Sequence, residues 1–131
     1  LKRGEIWTSA GGKDYAGKPG PALVVQDNSF DTDSVSVCGL TSELVNAPDL
    51  RLLFAPTPEN GLQLPSQVMI DKVTTVPHAK LGKRIGRLTD AEMLRVNRAL
   101  LVFLGLAGSA GGQSPKFPPI FSTSDSNPDK I

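Results

Sequence analysis

Residues 16–27 read AGKPGPALVVQD, a turn of Gly, Lys and Pro that runs directly into a short apolar strand. The run ALVV is continuous rather than alternating, which predicts a strand buried between two layers. Working outward, GEIWTS precedes this strand, and SVSVCGLTS, RLLFAP and SQVMIDKVTTV follow it. Each is rich in Val, Ile, Leu, Thr or aromatics, and GGKDYAGKPG, DNSFDTD and PTPENG separate them as turns. In SVSVCGL, Val35, Val37 and Gly39 share one face, opposite Ser34, Ser36 and Cys38. Several short strands with regular turns predict a small barrel or sandwich.

The period changes near residue 89. In TDAEMLRVNRALLVFLGLAG, Thr89 stands three positions before Glu92, a capping-box spacing that satisfies free N–H groups at a helix start. Met93, Val96, Leu100, Phe103 and Leu104 then recur at helical spacing, predicting one apolar stripe laid on the barrel. Gly105 and Gly108 are stop signals. Two units follow: a folded domain over 1–107, and a Gly/Ser/Pro-rich tail over 108–131 without a fold of its own. Phe117, Ile120 and Phe121 are the tail's candidate apolar anchors.

Composition narrows the chemistry. A formal net charge of +1 in 131 residues excludes a strongly basic chain, so any polyanion site must be local. One His and one Cys supply no metal-ligand cluster, and the Asp residues lack calcium-loop spacing. His78 reads as an exposed turn residue, with an acid/base role as the alternative, and Cys38 as a small core residue without a visible activating base. There is no phosphate-cradling P-loop and no nucleophile elbow. No run approaches a membrane span, LKRGEIW is too polar for a signal peptide, and a lone Cys suits a reducing compartment; the expectation is a cytoplasmic domain. The first loop carries Lys13, Tyr15 and Lys18, which suit phosphate attraction and base stacking. The hydroxyls of Thr41 and Ser42 either donate to a phosphate or cap a turn.

Taken in order, KRGEIWTSAGG, GKPGPALVVQDNSFDTDSVSVCGLTSEL, NGLQLPSQVMIDKVTTVPHAKLGKRIGRL and TDAEMLRVNRALLVFLGLA resemble the MazF/PemK family of toxin ribonucleases over residues 2–107. The resemblance implies an SH3-like small barrel, mainly β with a C-terminal helix. It also implies a homodimer that cuts single-stranded RNA without a metal or other cofactor, by attack of a 2′-OH on the adjacent phosphate. An antitoxin would lay an extended acidic segment over the RNA groove. The family pattern has an Arg before the Pro of the second strand, the main acid/base and charge-stabilising residue. Here that position is Gly20. Thr41 matches the residue that hydrogen-bonds the scissile phosphate, and Lys13, Tyr15, Lys18 and Ser42 fall beside the RNA groove.

Three explanations of Gly20 stand open: an inactivated copy, a protein turned to binding or regulation, or Lys18 serving as substitute. A turn with positive φ is a separate, backbone reason for Gly. Two other functional classes share the frame, a CcdB-like gyrase-binding toxin and a noncatalytic RNA- or antitoxin-binding module. The basic stretch Lys80 to Arg87 reads as solvated surface, with a contribution to binding by charge as the alternative.

Overall fold

The computed structural model of the chain describes residues 1–10 and 20–108. Lys13, Tyr15, Lys18 and the tail anchors lie outside the described residues. Strands β1 (Glu5–Ser9), β2 (Gly20–Val24), β3 (Ser34–Thr41), β4 (Arg51–Phe54), β5 (Ser66–Pro77) and β6 (Leu81–Arg87) are followed by helix α1 (Asp90–Phe103). The strands form one antiparallel sheet in the order β4-β5-β3-β2-β1-β6. Five strands fall where the sequence puts them. The sixth, β6, is new: Gly82, Gly86 and two register shifts against β1 erase the alternation that marks a strand.

Two contacts curl the sheet into a small barrel. β5 and β6 are separated by three strands in the order, yet only the single turn His78–Lys80 joins them. That short link draws the two strands together over the ends of β3, β2 and β1. At the opposite side, the loop after β4 lies against β6, where the Arg87 N–H donates to the Glu59 carbonyl at 2.9 Å. The approach is so close that a Cβ on Gly86 would overlap the Asn60 backbone, and Gly61, at φ 69°, abuts the Ile85 carbonyl. Only glycine fits either place.

β2 is buried on both faces, as its continuous apolar run implies. Leu23 joins Ile6, Cys38, Leu40, Phe54, Val68 and Ile70 in the main core, while Ala22 and Val24 pack with Val35 and Val37 on the other face. Trp7, Val76 and Leu81 cover that second cluster. Main-core burial of Cys38 pushes its thiol up to about 12 from 9.0, with the nearby Asp71 charge adding to the effect. The folded thiol therefore holds its proton where an unfolded one releases it. This stabilisation is complete below about pH 9 and is lost as the pH rises toward 12, at about 1.4 kcal/mol per unit. Urea midpoints measured across that range should fall less steeply in Cys38→Ala; identical slopes would sink the assignment.

Helix α1 is capped as its sequence predicts. The Thr89 hydroxyl accepts from the Glu92 N–H at 3.1 Å, and the Glu92 carboxylate accepts from the Thr89 N–H at 2.9 Å. Met93 and Val96 are buried against the sheet and Leu100 partly so. The remainder of the expected stripe differs: Phe103 is 43% exposed and Leu104 58%. The last turn runs past the barrel before Gly105, at φ 78°, ends it, with the Leu106 N–H returning to the Leu101 carbonyl. No helix among the described residues is long and apolar enough to cross a membrane.

Candidate functional site

The register between β2 and β3 pairs Ala22 with Gly39, Leu23 with Cys38 and Val24 with Val37. Continuing it two residues sets Gly20 opposite Thr41. Strand alternation puts both on the face shared by Ala22, Val24 and Val37. On the other side of β2, Gly20 pairs with Ser9 of β1. Three strand ends thus meet at one rim of the barrel, and residues 11–19 connect two of them.

The conformation of Gly20 gives no reason for a glycine. It is not among the positive-φ glycines, which are Gly4, Gly61 and Gly105 among the described residues. Among the described residues, a Cβ built on it meets only the Leu40 carbonyl, at an ordinary 3.9 Å. The backbone explanation raised by the sequence is therefore corrected: this is extended strand, open to any side chain.

A pocket of about 450 Å³ opens at this rim. Its wall includes Gly20, Ser42 and the hydroxyl residues Thr8, Ser9 and Ser66, with Leu40, Leu62, Leu64 and Ile85 supplying apolar surface. None of the described wall residues is charged. Such a wall suits a flat, uncharged group whose edge carries hydrogen-bonding atoms. Thr41 stands beside this wall rather than in it, because alternation turns it away from Leu40. Its hydroxyl oxygen accepts from the Glu43 N–H at 3.1 Å. That bond occupies a lone pair and leaves the O–H to donate outward.

Gln67, paired with Thr41 across β3 and β5, holds the neighbouring turn. Its side chain is nearly buried and behaves like a strand partner, accepting from the Val45 N–H at 3.0 Å and donating to the Val45 carbonyl at 2.9 Å. Nothing in one sequence marks this role, since the two partners are 22 residues apart. Gln67→Leu keeps the volume and strands both Val45 groups, at a cost of about 1–3 kcal/mol. Hydrogen exchange at Val45 and Glu43 should accelerate. Unchanged exchange would show that the turn is held by something else.

The remaining candidates separate. Ser42 is exposed in the pocket wall, whereas His78 is exposed in the turn before β6, beside Asp27 and Asp31 in a second, polar pocket. Cys38 is sealed in the core. Among the described residues no group of three His, Cys, Asp or Glu side chains is placed to hold a metal. Among the pocket residues the sequence did not single out, Thr8 and Ser9 come from β1, Leu62 from the loop after β4 and Ile85 from β6, three separate segments.

Residues 2–104 match a protein family described as PemK-like, MazF-like toxin of type II toxin-antitoxin system. The probable endoribonuclease MazF of Mycolicibacterium smegmatis is 51% identical over 109 residues, covering 82% of this chain and 100% of that protein. An endoribonuclease solved in complex with its cognate antitoxin, from a mycobacterial species, superposes with a TM-score of 0.68 at 27% identity, over 83% of this chain and 99% of the other. MazF from Deinococcus radiodurans shares the fold at TM-score 0.64 and 19% identity, over 80% and 96% of the two chains. The strands, the closing loop and the capped helix all lie within the matched residues, and on that footing the chain belongs to the family of PemK-like, MazF-like toxins of type II toxin-antitoxin systems.

Proposed function

We propose that the rim formed by Gly20, Thr41 and the adjoining pocket is the RNA site of a metal-independent, sequence-selective endoribonuclease toxin, and that this copy is impaired because Gly20 stands at the position of the family's Arg. The observation that carries the reading is the β2–β3 register, which pairs Ala22 with Gly39 and, extended by two residues, brings Gly20 opposite Thr41. In the reaction, the 2′-oxygen of a ribose forms a bond to the adjacent phosphorus as the bond to the 5′-oxygen breaks. A proton leaves the 2′-OH and another reaches the departing 5′-oxygen, giving a cyclic phosphate and a 5′-OH. Thr41, oriented by the Glu43 N–H, donates to a non-bridging phosphate oxygen and steadies the charge that builds there. The uncharged pocket receives a neighbouring base, apolar wall against its face and hydroxyls toward its edge. Gly20 can neither move a proton nor place a cation on the phosphate.

The partners are single-stranded RNA, a cognate antitoxin and a second copy of the chain, in the cytoplasm. For the second copy, exposed Leu44, Val45 and Leu53 beside the free edge of β4 offer apolar surface. Mapping cut ends on a long single-stranded RNA in EDTA, for this chain and for its Gly20→Arg form, tests the reading. Cleavage by the Arg form with cyclic phosphate ends supports it, and failure of both forms to cut leaves a binding module.

A further inference from the structure

The sequence presents Lys80 to Arg87 as one basic stretch, but the structure divides it. Arg84 is tied to Glu5 at 3.0 Å, and Arg87 to Glu59 at 3.5 Å and Asp90 at 3.6 Å. Lys80 and Lys83 are exposed, and neither has an ion-pair partner among the described residues. Their backbones are anchored at the rim already described. The Lys80 carbonyl accepts from the Ala10 N–H at 2.8 Å, and the Lys83 N–H donates to the hydroxyl of Thr8, a pocket residue, at 2.8 Å.

The sheet itself measures the separation. Extending the β2–β3 register brings Thr41 opposite Gly20; Gly20 pairs with Ser9, and Ser9 pairs with Leu81, next to Lys80. Three strand spacings make about 14 Å, within the span of a few nucleotides of single strand. Beyond Lys80 the surface changes sign, because Asp27 and Asp31 stand with His78 around the second pocket. A polyanion crossing the strand ends from Thr41 thus meets two free cations, then carboxylates that repel it.

Resting on the RNA-site reading above, we propose that Lys80, in the turn before β6, and Lys83, on the edge strand β6, are phosphate-positioning residues, extending the RNA track from Thr41 across the ends of β2 and β1. They hold the backbone in register and carry no sequence information.

The test is fluorescence anisotropy of the full chain with a labelled single-stranded oligoribonucleotide, over a series of salt concentrations. The double variant Lys80→Ala, Lys83→Ala should bind roughly 3- to 10-fold more weakly, with the log–log salt slope shallower by about 1.4, two phosphates' worth. A double Lys→Arg variant should bind as the parent does, and Lys72→Ala, an exposed cation on β5, should change neither number. An unchanged slope in the double Ala variant overturns the proposal while leaving the RNA site standing. A parent chain that binds no RNA overturns both. Lost affinity for a polyglutamate peptide with RNA binding intact would also overturn it, marking the lysines as a protein-docking surface instead.

Discussion

Gly20→Arg is expected to raise cleavage of single-stranded RNA by at least about 100- to 1000-fold, the usual effect of one well-placed charge-stabilising donor, with more if proton transfer is restored as well. The backbone is ready for the change. Gly20 is strand, not a positive-φ turn, and its Cβ position meets nothing among the described residues nearer than 3.9 Å. A side chain there should leave stability unchanged or raise it by about 0.5–1 kcal/mol, since glycine is the costlier residue to order in a strand. The gain in rate is therefore separable from any gain in folding. Gly20→Met, long but uncharged, is the control for bulk and should not cut. Gly20→Lys should restore part of the rate, because a point charge lacks the planar fork that matches a phosphate. Removing the Thr41 hydroxyl in the Arg form, as Thr41→Val, should take back most of the gain. If the unmodified chain cuts as fast as the Arg form, the impairment reading is wrong, and Lys18 is the first substitute to examine.

The second large effect is expected at Asn60, a fully buried amide in the loop that closes the barrel. Its side-chain oxygen accepts from the Thr57 and Leu62 N–H groups, both at 2.9 Å, and its NH₂ donates to the Ala55 carbonyl at 2.9 Å. Asn60→Ala leaves three backbone groups without their partner at about 1–2 kcal/mol each, the lower part of the usual range because Ala55 and Thr57 are exposed, so a loss of about 3–6 kcal/mol is expected, a large share of a small domain's stability. Asn60→Asp keeps the acceptor but buries a carboxylate against the Ala55 carbonyl, so it should cost at least as much at neutral pH and recover part of the loss at acid pH, where the protonated acid can donate again. Urea unfolding of both variants measures this, and a loss below about 1 kcal/mol for the Ala form would refute the bracing role. Function should follow stability here. Gly61 and Leu62 line the pocket, so loosening this loop opens the wall as well as the barrel.

Much of the fold was legible because it is written locally. The continuous run ALVV announced a strand with two buried faces, and Leu23 and Val24 do enter different cores. The Thr89–Glu92 spacing announced the helix start, since a capping box involves only four neighbouring residues. β6 escaped because its glycines serve contacts with Thr8 and Asn60, residues far away in sequence, at the expense of its own alternation. The helix stripe was over-read at its end for a related reason. Periodicity reports which side chains share a face, but not how far the sheet beneath extends, so Phe103 and Leu104 matched the pattern and yet face outward.

By itself, the sequence determined the strand-rich barrel with its capped helix, the family resemblance, and the identities of the residues at positions 20 and 41. Those follow from short-range patterns of burial and hydrogen bonding that any window of the chain carries. Only the tertiary structure decided that Gly20 is free strand beside Thr41, that Gln67 and Asn60 brace the turn and the loop next to them, and that two of the basic residues near β6 are neutralised while Lys80 and Lys83 are not. Each of these depends on strand register and on charges brought together from distant positions. Register is settled by which buried faces meet once the sheet has curled, and no stretch of sequence contains that information alone.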